Sequence, residues 1–189
     1  MVAEGQEDAD VSDDEIAAES EIKYLRAVKQ SLHAMRDAKK WPEGCKTPLM
    51  HNRPSVKCSE LKTKSARVRA VADILSVVTT HAMHCKYGDK PPSWAHPIAD
   101  VSQCVTRAVW RIDGLIPTVC TSTQLYSFKL CKFICSKDVV VSMGYPATVP
   151  FAIFSDTQQR VMAGNGYVVP LAACALCPFL VHTGHIIKM

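Results

Sequence analysis

Two groups of side chains have metal-ligand types at short spacing. Cys174-Ala-Leu-Cys177 has the spacing of a zinc knuckle and is followed by His182 and His185, while His81, His84 and Cys85 recur at helical spacing. Thiolates and imidazoles are the usual ligands of tetrahedral zinc. The flanks argue for a plainer role. Cys174 and Cys177 lie in an apolar run, where a thiol behaves as a small core hydrophobe, so no metal site is expected. Cys131 and Cys135 have no neighbour that would activate a thiolate. Gly-x-Ser-x-Gly, a P-loop and His-Glu-x-x-His are all absent, which excludes those three routes to catalysis.

The remaining candidates are groups that bind rather than react. Lys62, Lys64, Arg67 and Arg69 cluster within eight residues and could track the phosphates of a nucleic acid; a solvated helix face is the plain alternative. Gly164-Asn165-Gly166 offers backbone that can approach a ligand or adopt positive φ, with a donor and an acceptor on Asn165. Trp94 and Trp110 could stack on bases, although packing in a core or loop is the favoured reading.

The elements that must position these residues follow from charge and period. Residues 1–22 hold nine acids and no Lys or Arg, residues 23–86 hold fourteen bases against four acids, and the last 103 residues hold eight bases and five acids. An acidic tail over 1–11 is expected to be disordered. Ser12 and Glu15 have capping-box spacing. Ile22, Leu25, Val28, Leu32 and Met35 then form one apolar stripe of a helix that ends before Trp41-Pro42. Pro42 to Ser59 reads as a loop. A second helix is expected from Glu60 to Lys86, with Val68, Val71, Leu75, Val78 and Ala82 on its apolar side. These make 12–90 a helical, basic region.

From Ile98 onward, β-branched runs at Val101–Trp110, Ile116–Thr121, Gln124–Phe128 and Val139–Ser142 read as strands. Residues 167–181 form an almost wholly apolar block, which as a helix must be covered on several sides. The run from Tyr167 to His182 is broken by Pro170 and Pro178 and is too short to span a bilayer. No signal-peptide pattern opens the chain, and the nine cysteines are expected to be reduced thiols in the nucleus or cytoplasm.

Three segments of 98–189 carry a resemblance. The first is Asp113-Gly-Leu-Ile-Pro-Thr-Val-Cys-Thr-Ser122; the second is Ser136-Lys-Asp-Val-Val-Val-Ser-Met-Gly-Tyr-Pro146; the third is Gln158-Gln-Arg-Val-Met-Ala-Gly-Asn-Gly-Tyr-Val-Val-Pro170. In that order they resemble the closing motifs of the cytosine-C5 DNA methyltransferases. The first is similar to the return strand after the target-recognition region, with its Pro-Thr-x-x-Thr-Ser pattern. The second resembles the ninth motif, a short helix opening on a basic-acidic pair, here Lys137-Asp138, and running into Met143-Gly144-Tyr145-Pro146. An Arg usual further along that helix is replaced by Val141. The third resembles the tenth motif, a Gly-Asn turn followed by a helix.

The resemblance implies an α/β fold: the C-terminal portion of a Rossmann-like methyltransferase domain, preceded by two amphipathic helices. It implies S-adenosylmethionine as cofactor, with Gly164, Asn165 and Gly166 at the edge of its pocket, and Met143, Gly144, Tyr145 and Pro146 on the recognition side. DNA is the implied partner, and a second chain supplying the catalytic half is a further one. The family's nucleophilic cysteine follows a proline; no Pro-Cys pair is present, nor is a Glu-Asn-Val or Phe-x-Gly-x-Gly motif. No catalytic residue is therefore assigned. The expectation is an enzyme's closing portion that is inactive alone, as a fragment or a degenerate relative. The alternative is a non-enzymatic module binding nucleic acid or protein through the basic residues.

Overall fold

Helix α1 runs from Asp13 to Asp37 in the computed structural model, which describes residues 13–45 and 54–166 together with Ala172, Cys174 and Leu176. The acidic tail over 1–11, Ser12 of the capping box, and Cys177, His182 and His185 lie outside the described residues, as does most of the apolar block; Ala172, Cys174 and Leu176 within it are helical. Acids open α1 and Arg36 stands in its last turn, which suits the helix dipole. The helix ends in a Schellman pair, Lys39 N–H to Arg36 O at 2.9 Å and Lys40 N–H to Met35 O at 2.9 Å. Lys39 takes the left-handed conformation, φ 53°, that this motif usually gives to glycine.

The face α1 buries is not the expected stripe. Tyr24 and Met35 are buried and Val28 and Leu32 half-buried, while Ile22 and Leu25 stay 57% and 41% exposed. A polar network orients the helix. The Tyr24 hydroxyl donates to the buried Asp73 at 2.7 Å, and Asp73 also accepts from the Ser55 backbone N–H at 2.9 Å and the Ser55 hydroxyl at 2.5 Å. A buried carboxylate needs such donors, so Tyr24 must face it, and Ile22 and Leu25 rotate outward.

Short helix α2 (Pro54–Lys57) falls within the segment expected to be a loop, and the expected second helix is divided into α3 (Ser59–Lys62) and α4 (Ala66–Tyr87). The Thr63 hydroxyl donates to the Glu60 carbonyl at 2.9 Å, and the Ser65 side chain caps α4 by accepting from the Val68 N–H at 3.4 Å. Ser and Thr side chains that bond nearby backbone favour such ends over helix interiors. Along α4, burial extends beyond the expected stripe to Ala70, Ala72, Ile74 and Thr79, because a second layer covers its other side.

That layer is a four-stranded antiparallel sheet in the order β2-β1-β3-β4, formed by β1 (Ile98–Asp100), β2 (Trp110–Arg111), β3 (Leu125–Ser127) and β4 (Lys132–Phe133). Ala99 pairs with Tyr126 in the centre, and Trp110 and Phe133 flank them on the edge strands. Alternation along the strands sends Ala99 and Tyr126 into a core with Met35, Val71, Leu75 and Val78, and Ile98 and Leu125 into a second core. Helices α5 (Ser136–Ser142) and α6 (Asp156–Asn165) complete that second core through Val139, Val140 and Ala163, with Phe151 from the 3-10 turn Phe151–Ile153. The sheet is thus covered on both faces, so β1 and β3 are buried throughout.

Of the expected strands, only Gln124–Phe128 largely forms one. Residues 101–109 are turns and irregular chain, and 115–120 carry no ladder. Val139–Ser142 is helical: Cys135 caps α5 and α5 lays Val139 and Val140 into the core. Its apolar residues are consecutive, and such a short run has no period that separates strand from helix. The fold is mixed helix and antiparallel sheet. Among the described residues no helix is long and apolar enough to cross a membrane.

Candidate functional site

The three segments singled out in 98–189 meet on one surface. A cleft of about 730 Å³ is lined by Gly114 to Val119 from the first, Val139, Ser142 and Met143 from the second, and Ala163 and Gly166 from the third. Arg111, also on the lining, makes a two-bond fork to Asp113, at 2.9 and 2.5 Å. The Arg111 guanidinium holds the Asp113 carboxyl down to about 2. Gly114 turns the chain with φ +73°, and a Cβ there would strike the Trp94 carbonyl and lie 3.0 Å from the His96 ring.

Of the sequence candidates, Met143 and Gly166 line this cleft, and the others lie outside its lining. Met143 is buried and Tyr145 half-buried on the second core. Gly144 turns with φ 91°, and Pro146 is exposed, its carbonyl accepting from the Val149 N–H at 3.0 Å. Gly166 seats against this motif: a Cβ on it would stand 3.1 Å from the Tyr145 hydroxyl and 3.4 Å from the Met143 methyl carbon. The expected Gly-Asn turn is instead the end of α6, which carries a complete capping box at Ser155 and Gln158 and reaches Asn165, with Gly166 as its C-cap. Neither Gly164 nor Gly166 has positive φ. Gly164 serves close approach, but to the chain itself, since a Cβ there would run into the backbone of Cys120 and Thr121. Asn165 is exposed.

The described residues give S-adenosylmethionine a wall without a full set of partners. Leu115, Ile116, Pro117, Val119 and Met143 suit the face of a flat ring. A ribose diol, an ammonium and a carboxylate need polar groups. The lining offers Thr118, Ser142 and Arg111, and Arg111 is already held by Asp113. The residues present do not by themselves fit the whole cofactor.

A smaller cleft of about 280 Å³ adjoins the first, sharing Val119, Val139 and Ala163, and is also lined by Lys64, Cys120, Cys135 and Arg160. Its thiols differ. Cys120 Sγ lies 3.5 Å from the Ser122 hydroxyl, 3.2 Å from that of Thr123 and 3.8 Å from the Gln103 amide nitrogen. The Ser122 and Thr123 hydroxyls lower its pKa. Thr123 is held in turn by the buried Asp100, 3.2 Å away, which also accepts from the Ser102 and Gln124 N–H groups and the Ser102 hydroxyl. Cys135 caps α5, and burial pushes its thiol up. Asp100, Gln103, Cys120 and Thr123 were not picked out as a group by sequence; the run Cys-Thr-Ser-Thr over 120–123 is the local signal, and Asp100 reaches it only through the β1–β3 pairing.

The basic residues make separate contacts. Lys62 is exposed at the end of α3, and Lys64 lies over the Phe133 ring at 4.9 Å. Arg67 donates to the Ser102 carbonyl at 2.9 Å, and Arg69 to the Ser20 hydroxyl at 3.0 Å while its guanidinium sits 5.3 Å above the Tyr24 ring. Those last two cations tie α4 to its neighbours. Among the described residues there is no group of three or more potential metal ligands; His81 contacts Cys85 at 3.5 Å and His84 pairs with Asp89 at 3.2 Å. Trp94 is exposed and meets Tyr87 edge-on, whereas Trp110 packs on the first core. No family model, curated protein or solved structure matches this chain.

Proposed function

We propose that this chain carries the closing portion of a cytosine-C5 DNA methyltransferase and that alone it transfers no methyl group. The observation that carries the reading is the shared cleft: three segments ordered as in that family, separated in sequence, line one concavity. The helical form of 136–142, running into Met143-Gly144-Tyr145-Pro146, supports it further. S-adenosylmethionine is the cofactor and DNA the partner under this reading, in the nucleus or cytoplasm. The Rossmann-like sheet, the thiol nucleophile and the cofactor loop would come from residues that the described ones do not supply, including a second chain.

The test mixes the purified chain with a separately produced half bearing Pro-Cys, Glu-Asn-Val and Phe-x-Gly-x-Gly, in the presence of labelled S-adenosylmethionine and DNA. Methyl incorporation is expected from the mixture and only background from the chain alone. Incorporation by the chain alone, or none from the mixture, counts against the proposal. The reading as a binding module rests on Lys64 and Arg160, both on the lining of the smaller cleft. It requires salt-dependent DNA binding that weakens when Lys62 and Lys64 are neutralised.

A further inference from the structure

We infer that the outer face of α1 is a self-association surface on which a second copy of this chain packs antiparallel, with Ile22 and Leu25 at the twofold axis. Turning Tyr24 toward Asp73 leaves a second line of exposed residues on the outer side of α1, Ala18, Ile22, Leu25, Lys29 and Arg36, while Leu32, which continues the same series, is half-buried against the first core. The spacing of four, three and four from Ala18 to Lys29 is that of a two-helix seam. Ile22 and Leu25 are both exposed, at 57% and 41%.

Charge selects the occupant and its direction. The first half of α1 carries Asp13, Asp14, Glu15, Glu19 and Glu21 against Lys23; the second half carries Arg26, Lys29 and Arg36 against Asp37. A parallel pair would set Lys29 against Lys29 and Arg36 against Arg36 in the seam, which is repulsive. An antiparallel pair centred between Ile22 and Leu25 sets each Ile22 on the other copy's Leu25. It also brings Glu19 to Arg26 and moves Lys29 beside the acidic half. The same patch serves both copies, as a twofold interface requires. The exposed intrahelical pair of Glu19 with Lys23, at 2.7 Å, is weakly held and leaves room for a second cation. The seam occupies part of one 25-residue helix, so a dimer that dissociates on dilution is expected.

Sedimentation equilibrium of the full chain under reducing conditions tests this. The mass should rise with concentration from 20.8 kDa toward twice that value. Leu25→Asp, at an exposed position, should hold it at the monomer mass with an unchanged far-UV circular dichroism spectrum. Glu19→Lys or Arg26→Glu alone should weaken association about two- to fivefold, and the double reversal should restore it, because each new lysine then meets a new glutamate on the other copy. A parent chain that stays at 20.8 kDa at every concentration overturns the inference. Association undiminished in Leu25→Asp overturns it too, and failure of the double reversal to restore it overturns the antiparallel arrangement.

Discussion

Replacing Gly164 by alanine tests the packing that shapes both clefts. In an open helix the change would stabilise by about 1 kcal/mol, because alanine has the higher helix propensity. Here the new methyl group would collide with the backbone N of Thr121 and the carbonyl carbon of Cys120, and would stand 2.6 Å from the Thr121 Cα. Ordinary contacts begin near 3.4 Å, so α6 or the 120–121 turn must shift by roughly 1 Å. Backbone cannot swing aside as a side-chain tip can. Overpacking of this kind costs about 1–3 kcal/mol, and a backbone neighbour places it at the upper end. After the propensity gain, Gly164→Ala should lose about 2 kcal/mol. For a chain of this length that lowers the melting temperature by roughly 4–8 °C. Urea unfolding followed by circular dichroism measures the loss as a lower midpoint at unchanged slope. A neutral or stabilising result would refute the reasoning, since it would mean that α6 does not lie on Cys120 and Thr121.

Two predictions concern ionisation. Cys120 should react with iodoacetamide at neutral pH faster than Cys135, which is also exposed, with a pH midpoint below the ordinary thiol value; Thr123→Val should move that midpoint upward. Peptide mapping by mass spectrometry reads both, and a Cys120 slower than Cys135 would remove the assigned role of the Ser122 and Thr123 hydroxyls. For Asp113 the folded carboxyl is depressed from 3.8 to about 2, so its pairing contributes fully above the unfolded value and is lost as pH falls through about 2. The stability difference between the parent and Asp113→Asn should therefore narrow from pH 5 to pH 2, and a difference independent of pH would show that the fork with Arg111 does not form.

Much of the helical part was legible in the sequence because its signals are local. The apolar period and the Trp41-Pro42 pair placed α1, and the apolar period the end of α4, close to where they lie. The break at Thr63 and Lys64 was missed because Ser65 is a modest local signal inside a longer periodic run. The strands were less legible, since a two- or three-residue strand is defined by its partner rather than by its own alternation. Val139–Ser142 looked like a strand by composition and folded as a helix once Cys135 capped it and the second core received its apolar face.

By itself, the sequence determined where charge and apolar residues lie, which motifs are present, and that no Pro-Cys nucleophile accompanies them. Only the tertiary structure decided what those residues face. A helix's apolar residues do not say which of them turns inward: one hydrogen bond from Tyr24 to buried Asp73 rotated α1 and left Ile22 and Leu25 in solvent. Spacing likewise could not show that Gly114, Met143 and Gly166 share a cleft, that Gly164 answers to the backbone at Cys120, or that Asp100 supports Thr123. Those contacts join residues 20 to 50 positions apart, and they come into being only when the sheet and its two helical layers close around them.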